Sequence, residues 1–219
     1  MEQLALDLGI PAGPTDTVLS PANTDAFGLV ERWPHWPYPV YLVHGPVGSG
    51  KSHLAGTFAL ETGGRTVAGA DLARHDPLTL AADPVAVDDA HEADETALFH
   101  LFNAARVSGQ TMLLAARTPL APSLADLASR LRQVPEMRLH APDDALLAGV
   151  MRAEFTRRQL PPDPAVIAFF LPRMERTLHH AVDLVAMVDR AGLAARRGPT
   201  RPLAAQVLSS GSRCDELVP

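Results

Sequence analysis

The chain has 219 residues, 47% hydrophobic and 20% charged, with a net charge of −6 and one cysteine. That length suits one medium domain, or a core with a small second domain. The acidic balance argues against a general nucleic-acid binder, lone Cys214 excludes an internal disulfide and fits a reducing compartment, and no apolar run approaches the ~20 residues of a membrane span. The N-terminus lacks a basic stretch leading into a long apolar one, so the expectation is a cytosolic protein without a signal peptide or membrane contact.

Residues 1–8 form a short segment in which Leu4, Leu6 and Leu8 recur at every second position after Gln3. Gly9, Pro11, Gly13 and Pro14 then break regular structure, so residues 1–14 read as a tail hinged to the body. Exposed leucines on a free tail cost solubility unless something binds them; the alternative is a tail folded back on the domain. An extended piece, 18–23, enters a helix near Asn23 to Arg32. Pro34, Pro37 and Pro39 forbid helix beyond it and make a rigid linker, in which Trp33 and Trp36 read as packing anchors.

Val40 to Val43 is a short apolar strand, followed by Gly45-Pro46-Val47-Gly48-Ser49-Gly50-Lys51-Ser52 and an apolar helical pattern to about Leu60. Strand, glycine-rich loop and helix start together make a phosphate-binding loop. Gly45, Gly48 and Gly50 let backbone N–H groups curl into an anion nest, and the helix N-terminus adds donors and a positive dipole end. Lys51 is expected to reach terminal phosphates and the Ser52 hydroxyl to ligate Mg²⁺. A glycine-rich turn that binds nothing would share the glycines, but not the strand before them or the Lys-Ser pair after.

Gly63-Gly64 marks a turn, Arg65 to Ala68 a second strand, 70–74 a brief helix and Pro77 to Pro84 a loop. Val85-Ala86-Val87-Asp88-Asp89 reads as a strand buried on both sides and ending in two carboxylates. Strand C-terminal ends line the ligand crevice of open α/β sheets. Asp88 is therefore the candidate Mg²⁺ ligand, and Asp89 a weaker candidate for orienting an attacking water. Glu92 to Val107 is helical, Thr111 to Ala116 a strand, Ser123 to Leu131 a helix with a Ser N-cap, and Glu136 to Leu139 a fifth strand. Strands alternating with helices imply a parallel sheet covered on both faces.

Past Pro142 no strand pattern appears. Asp143 to Arg158 is helical with an Asp cap, and Pro164 to Leu171, Arg176 to Ala195 and Pro202 to Leu208 read as three further helices. The expected organisation is a tail (1–14), an α/β core (15–141) and a small all-helical domain (142–219). Arg130 and Arg176 are candidate phosphate partners, since guanidinium is planar and permanently charged, although a lone arginine is ordinarily a solvated surface charge.

Phosphate loop, acidic strand end, Ala128-Ser129-Arg130-Leu131 and a helical domain with Arg176 together resemble the AAA+ ATPases. More narrowly, Gly50-Lys51-Ser52-His53-Leu54 resembles the matching stretch of DnaA-type replication initiators, and Ser20-Pro21-Ala22-Asn23 the segment flanking their adenine. Gln3-Leu4-Ala5-Leu6-Asp7-Leu8 is similar to a sliding-clamp-binding motif. Tail and core combined resemble the Hda-type DnaA-related regulators that switch the initiator off.

The resemblance implies an AAA+ core with a five-stranded parallel sheet and a helical lid, binding ADP (or ATP) and Mg²⁺. Leu19 and Asn23 would lie beside the base, Gly45 to His53 would carry the phosphates, and Arg176 would touch the nucleotide from the lid. Arg130 would be an arginine finger acting in trans on a partner's nucleotide. Gln3, Leu4, Leu6 and Leu8 would hold the sliding clamp, the β subunit of DNA polymerase III. DnaA would be the second partner, DNA would be met only through the clamp, and a homodimer is possible. One departure stands out: where the family's fourth strand leads to a polar sensor, this chain has Ala115-Ala116-Arg117-Thr118, which suits a protein resting with ADP and hydrolysing little ATP itself. No helix-turn-helix domain of the kind that follows the lid in DnaA is read after residue 208, so sequence-specific DNA binding by this chain is not expected. The alternatives are a DnaC-type helicase loader and a stand-alone P-loop ATPase or kinase.

Overall fold

In the computed structural model, which describes residues 17–161 and 164–211, the five apolar runs pair into one sheet. Strands β1 (Val40–His44), β2 (Arg65–Ala68), β3 (Val85–Asp88), β4 (Met112–Ala116) and β5 (Glu136–Arg138) lie in the order β2-β3-β4-β1-β5. Every neighbouring pair is parallel. Parallel pairing requires a crossover between strands, supplied by helices α2 (Lys51–Thr62), α3 (Pro77–Leu80), α4 (Glu95–Ser108) and α5 (Ala125–Leu131). All five C-terminal ends therefore share one edge. At that edge His44 lies opposite both Ala116 of β4 and Arg138 of β5.

Side chains alternate between the faces of a strand, and both faces here are covered. Val40 and Leu42 pack with Leu98, Leu101 and Leu127 on one side. Tyr41 and Val43 pack on the other with Leu54, Phe58 and Phe27, the last from α1 (Thr24–Glu31). Burial on both faces explains why β1, β3 and β4 are continuously apolar rather than alternating. The tryptophans anchor the linker: Trp36 stacks on Phe58 at 5.2 Å and donates to the Leu29 carbonyl, while Trp33 donates to Thr111 Oγ1.

Helices α6 (Asp144–Arg157), α7 (Pro164–Phe170), α8 (Leu178–Ala195) and α9 (Arg201–Gly211) gather around a core of their own, which includes Met151, Phe155, Phe170, Leu184 and Val188. Asp143 caps α6 as its sequence suggests, accepting from Leu146 N–H at 2.7 Å. Among the described residues no helix is long and apolar enough to cross a membrane.

Four local expectations change. Segment 77–84 is not all loop: Pro77 occupies the first turn of α3, and Asp76 accepts from Thr79 N–H, an N-cap with proline just inside it. The helix expected from Glu92 starts at Glu95, because Asp94 caps Ala97 N–H and residues Ala90–Glu92 form a separate 3₁₀ turn. Ser123 does not cap α5. The Glu95 carboxylate reaches over from α4 and accepts from the N–H groups of Ser123 and Leu124 at 2.8 and 2.7 Å. Finally, α8 begins at Leu178 rather than Arg176, because Thr177 is its N-cap and accepts from His180 N–H.

Candidate functional site

Gly45 follows β1 directly, and its N–H donates to Ala116 O at 3.2 Å, tying the loop to the end of β4. A side chain at Gly45 would run into the Leu139 carbonyl at 2.4 Å. Gly48 and Gly50 adopt φ of +73° and +99°, the left-handed region that glycine enters without steric cost. Gly50 then caps α2, and Leu54 N–H returns to the Gly50 carbonyl. Ser49 is buried, and its Oγ has no hydrogen-bond partner.

Lys51 is only 7% exposed and donates to the carbonyls of Gly45 and Pro46 at 2.9 and 2.8 Å. Burial lowers its pKa, the Asp89 and Asp88 carboxylates oppose that change, and the Arg117 charge adds to it. The ammonium is thus held on loop carbonyls, facing two carboxylates, at the foot of a helix dipole.

A cavity of about 530 Å³ opens beside the loop, between the sheet edge and helices α6 and α8. Gly48, Gly50, Lys51, Ser52 and Asp89 form its polar end. Phe27, Val150 and Val182 form an apolar end, and Val47, two-thirds exposed, sits at the loop tip. His53 also lines it, with its ring 5.7 Å from that of Phe27, and burial lowers its pKa. The volume and mixed lining are those of a small-ligand pocket.

The two carboxylates at the end of β3 separate. Asp89, at φ +48°, lines the cavity. Asp88 turns Oδ1 back to accept from the N–H of Asp89 at 3.0 Å. Asp89 thus lines the cavity, and the charges of both Asp89 and Asp88 act on Lys51. Among the described residues no three His, Cys, Asp or Glu side chains gather as a metal cage. Ser52 with one carboxylate is instead a donor set that fits Mg²⁺, which keeps several waters and takes further ligands from phosphates.

The expected base contacts divide in the same way. Asn23 lines the cavity, but its amide is spent on the local turn: Oδ1 accepts from Ser20 N–H at 2.8 Å and Nδ2 donates to Val18 O at 2.9 Å. Val18 takes the place at the cavity expected for Leu19, whose side chain is half exposed. Arg176 does not line the cavity; it donates to Asp144 Oδ1 at 2.7 Å and to the Pro142 carbonyl at 3.0 Å. Arg130 lies in the last turn of α5, over the rings of Phe99 and Phe102 at 5.0 and 6.0 Å. It lines a separate hollow of about 520 Å³ with Tyr38, Arg106 and Gln133. Gln3, Leu4, Leu6 and Leu8 lie outside the described residues.

Several cavity residues had no signal in the sequence. Glu154 and Arg157 reach it from α6 and His179 from α8. Glu154 is buried and accepts two hydrogen bonds from Arg157 and one from Arg158, at 2.7–2.8 Å. Burial alone would raise its pKa, but those bonds outweigh it and the pKa is lowered. Arg158 continues to Asp189 at 3.0 Å, tying α6 to α8. Arg117, noted only for standing after a missing polar sensor, also lines the cavity.

No family model matches the chain. It is 29% identical over 189 residues to an uncharacterized protein of Haemophilus influenzae, covering 78% of this chain and 82% of that one. Among solved structures it is similar to domain III of the replication initiator DnaA from Thermotoga maritima, with a TM-score of 0.72 at 17% identity over 92% of this chain and 98% of that one. AMPPCP-bound DnaA from Aquifex aeolicus gives 0.68 at 17% identity, over 81% of this chain and 65% of that one, so this chain spans about two-thirds of that initiator. The RuvB Holliday junction branch migration motor of Thermotoga maritima gives 0.66 at 17% identity, over 86% and 68%. At such identities the likeness lies in the fold, and the five-stranded parallel sheet followed by a helical bundle is the AAA+ fold of DnaA domain III.

Proposed function

We propose that this chain is a nucleotide-binding adaptor of the Hda type. It docks on the DNA polymerase sliding clamp through Gln3, Leu4, Leu6 and Leu8, and stimulates ATP hydrolysis by DnaA, so limiting initiation of replication. ADP or ATP is the ligand of the loop cavity. The apolar end between Phe27, Val150 and Val182 takes the base, and the loop amides with Lys51 take the phosphates. Bound Mg²⁺, held by Ser52 and a carboxylate at the end of β3, Asp88 or its neighbour Asp89, would neutralise phosphate charge. The Ala115-Ala116 end of β4 offers no polar side chain to the terminal phosphate, which fits slow hydrolysis by the chain itself.

The observation that carries the regulatory reading is the position of Arg130. It lies on α5, outside the chain's own cavity, with its guanidinium held over two aromatic rings and bordering an open hollow. An arginine so placed is unavailable to the chain's own phosphates and available to those of a docked neighbour. Fingers acting in trans are worth roughly 10³–10⁵ in rate. Two of the structural relatives are DnaA chains, one of them bound to AMPPCP, which supports DnaA as the related partner and a nucleotide as the ligand.

The test is DnaA-catalysed ATP hydrolysis in the presence of DNA-loaded clamp. Wild-type chain should accelerate it, Arg130→Ala should not, and a Gln3→Ala/Leu6→Ala variant should lose the clamp in a pull-down. Full acceleration by the Arg130 variant would remove the finger from the account. Undiminished clamp capture would remove the tail.

A further inference from the structure

The last two helices carry charge of one sign. From Arg190 to Gly211 the chain holds four arginines, Arg190, Arg196, Arg197 and Arg201, and no carboxylate, although the whole chain is acidic at −6. Arg190 stands in the last two turns of α8, and backbone contacts fix the corner that follows. Arg196 ends α8 in a left-handed conformation at φ +50°, and the Arg197 N–H returns to the Gly192 carbonyl at 3.0 Å. The Arg197 carbonyl lies so close to α8 that a Cβ added at Gly192 would sit 2.7 Å from it. Arg201 then opens α9 and reaches the ring of Phe169 at 5.7 Å, where Arg173 already stands at 4.4 Å.

These five arginines are exposed, and among the described residues none of them makes an ion pair with a carboxylate. Asp189, the neighbour of Arg190, is spent on Arg158 at 3.0 Å. Cations gathered without counter-ions repel one another, a cost to the folded state that a bound anion removes. None of the five lines either of the two large cavities. Exposed on a corner rather than set in a hollow, they suit an extended polyanion rather than a small one. Spacing then selects among polyanions. Duplex nucleic acid offers one phosphate per about 1.7 Å of axis, dense enough to meet several arginines together. An extended acidic peptide turns a carboxylate to one face only every roughly 6.6 Å.

We propose that the corner between α8 and α9, with Arg173 beside it, is a contact surface for the phosphate backbone of duplex nucleic acid. The helical bundle then touches DNA directly, through guanidiniums that each can hold two phosphate oxygens at once. Backbone contacts of this kind carry no sequence information, so the surface positions the chain on a duplex without choosing a site. It is separate from the loop cavity, from Arg130 and from the tail, and its failure would leave those readings as they stand.

Fluorescence anisotropy of a short labelled duplex of mixed sequence, titrated with the full chain between about 50 and 200 mM salt, tests the idea. Each phosphate contact contributes about −0.9 to the slope of log affinity against log salt, so three or four contacts give roughly −3 to −4. Arg190→Ala/Arg197→Ala removes two arginines that make no contact with Phe169, and should keep the urea midpoint of wild type. It should bind about 10-fold more weakly at low salt, with a slope shallower by about 2. Arg65→Ala/Arg74→Ala, which removes two arginines already paired with Asp83 and Asp71 in the core, should leave the slope unchanged. No binding by wild type at about 50 mM salt, or the same slope for the corner variant, would overturn the proposal. Poly-glutamate that displaced the duplex at equal charge would assign the corner to an acidic protein partner and overturn it too.

Discussion

The backbone N–H of Leu178, the first residue of α8, donates to the carbonyl of Gly48 in the phosphate loop at 3.0 Å. Thr177 packs on the same glycine so closely that a Cβ at Gly48 would lie 2.4 Å from Thr177 Cβ, and a Cβ at Gly50 would lie 3.0 Å from Leu178 Cδ1. The helical bundle thus rests on the loop itself.

Gly48→Ala tests that contact. The alanine would meet both the Thr177 clash and a φ of +73°, and a non-glycine residue in a left-handed conformation costs about 1–3 kcal/mol. The expected result is a lower urea midpoint together with loss of nucleotide affinity. Gly63→Ala is the control: its φ is +65° but nothing lies within 4 Å of the added Cβ, so it should lose stability and keep affinity.

Glu154 joins Arg157 and Arg158 at the wall of the cavity, and Arg158 reaches Asp189 on α8. Glu154→Gln keeps the shape and removes the charge. Arg157 is half exposed and recovers water, whereas Arg158 is more enclosed. A loss of about 1–3 kcal/mol is expected, in the range for an imperfectly satisfied buried hydrogen-bond group, measured as the shift in urea unfolding. An unchanged midpoint would show that Arg157 and Arg158 do without it.

Burial lowers the pKa of His53 from its ordinary 6.5. Below 6.5 the unfolded chain takes up a proton that the folded chain resists, so this residue's contribution is complete above about 6.5 and declines as pH falls toward the folded value. Nucleotide-free protein should accordingly lose stability on acidification from pH 7 to 5.5, and His53→Gln should flatten that part of the curve. Identical slopes for the two proteins would assign the decline elsewhere.

Arg130→Ala separates a structural from a regulatory role. The guanidinium contacts with Phe99 and Phe102 are partly exposed, and such contacts are worth about 0.5–1 kcal/mol. The variant should stay folded, with a melting temperature within a few degrees of wild type, and bind nucleotide unchanged, because Arg130 lies outside the cavity. A large drop in its own nucleotide affinity would contradict the separation of the two surfaces.

The sequence alone was enough for the strands, the loop and the parallel sheet, because these rest on short-range physics. Val40–His44 and Met112–Ala116 are apolar on both faces and so belong inside a covered sheet. Gly48 and Gly50 stand where the chain turns left-handed, and Asp143 caps the helix that follows it. Contacts across the chain were not legible. No local pattern says that Glu95 will take the N–H groups of Ser123 and Leu124 just ahead of α5, because the carboxylate comes from 28 residues away. Nor does one say that Asp89 faces the cavity while Asp88 turns back on the backbone, or that Arg176 joins Asp144. Glu154, Arg157 and Arg117 reach the cavity only because α6, α8 and the end of β4 converge on the loop. The sequence determined that a phosphate loop follows β1, through backbone freedom and helix dipole; the tertiary structure decided which side chains surround it, because side-chain direction depends on how distant elements pack.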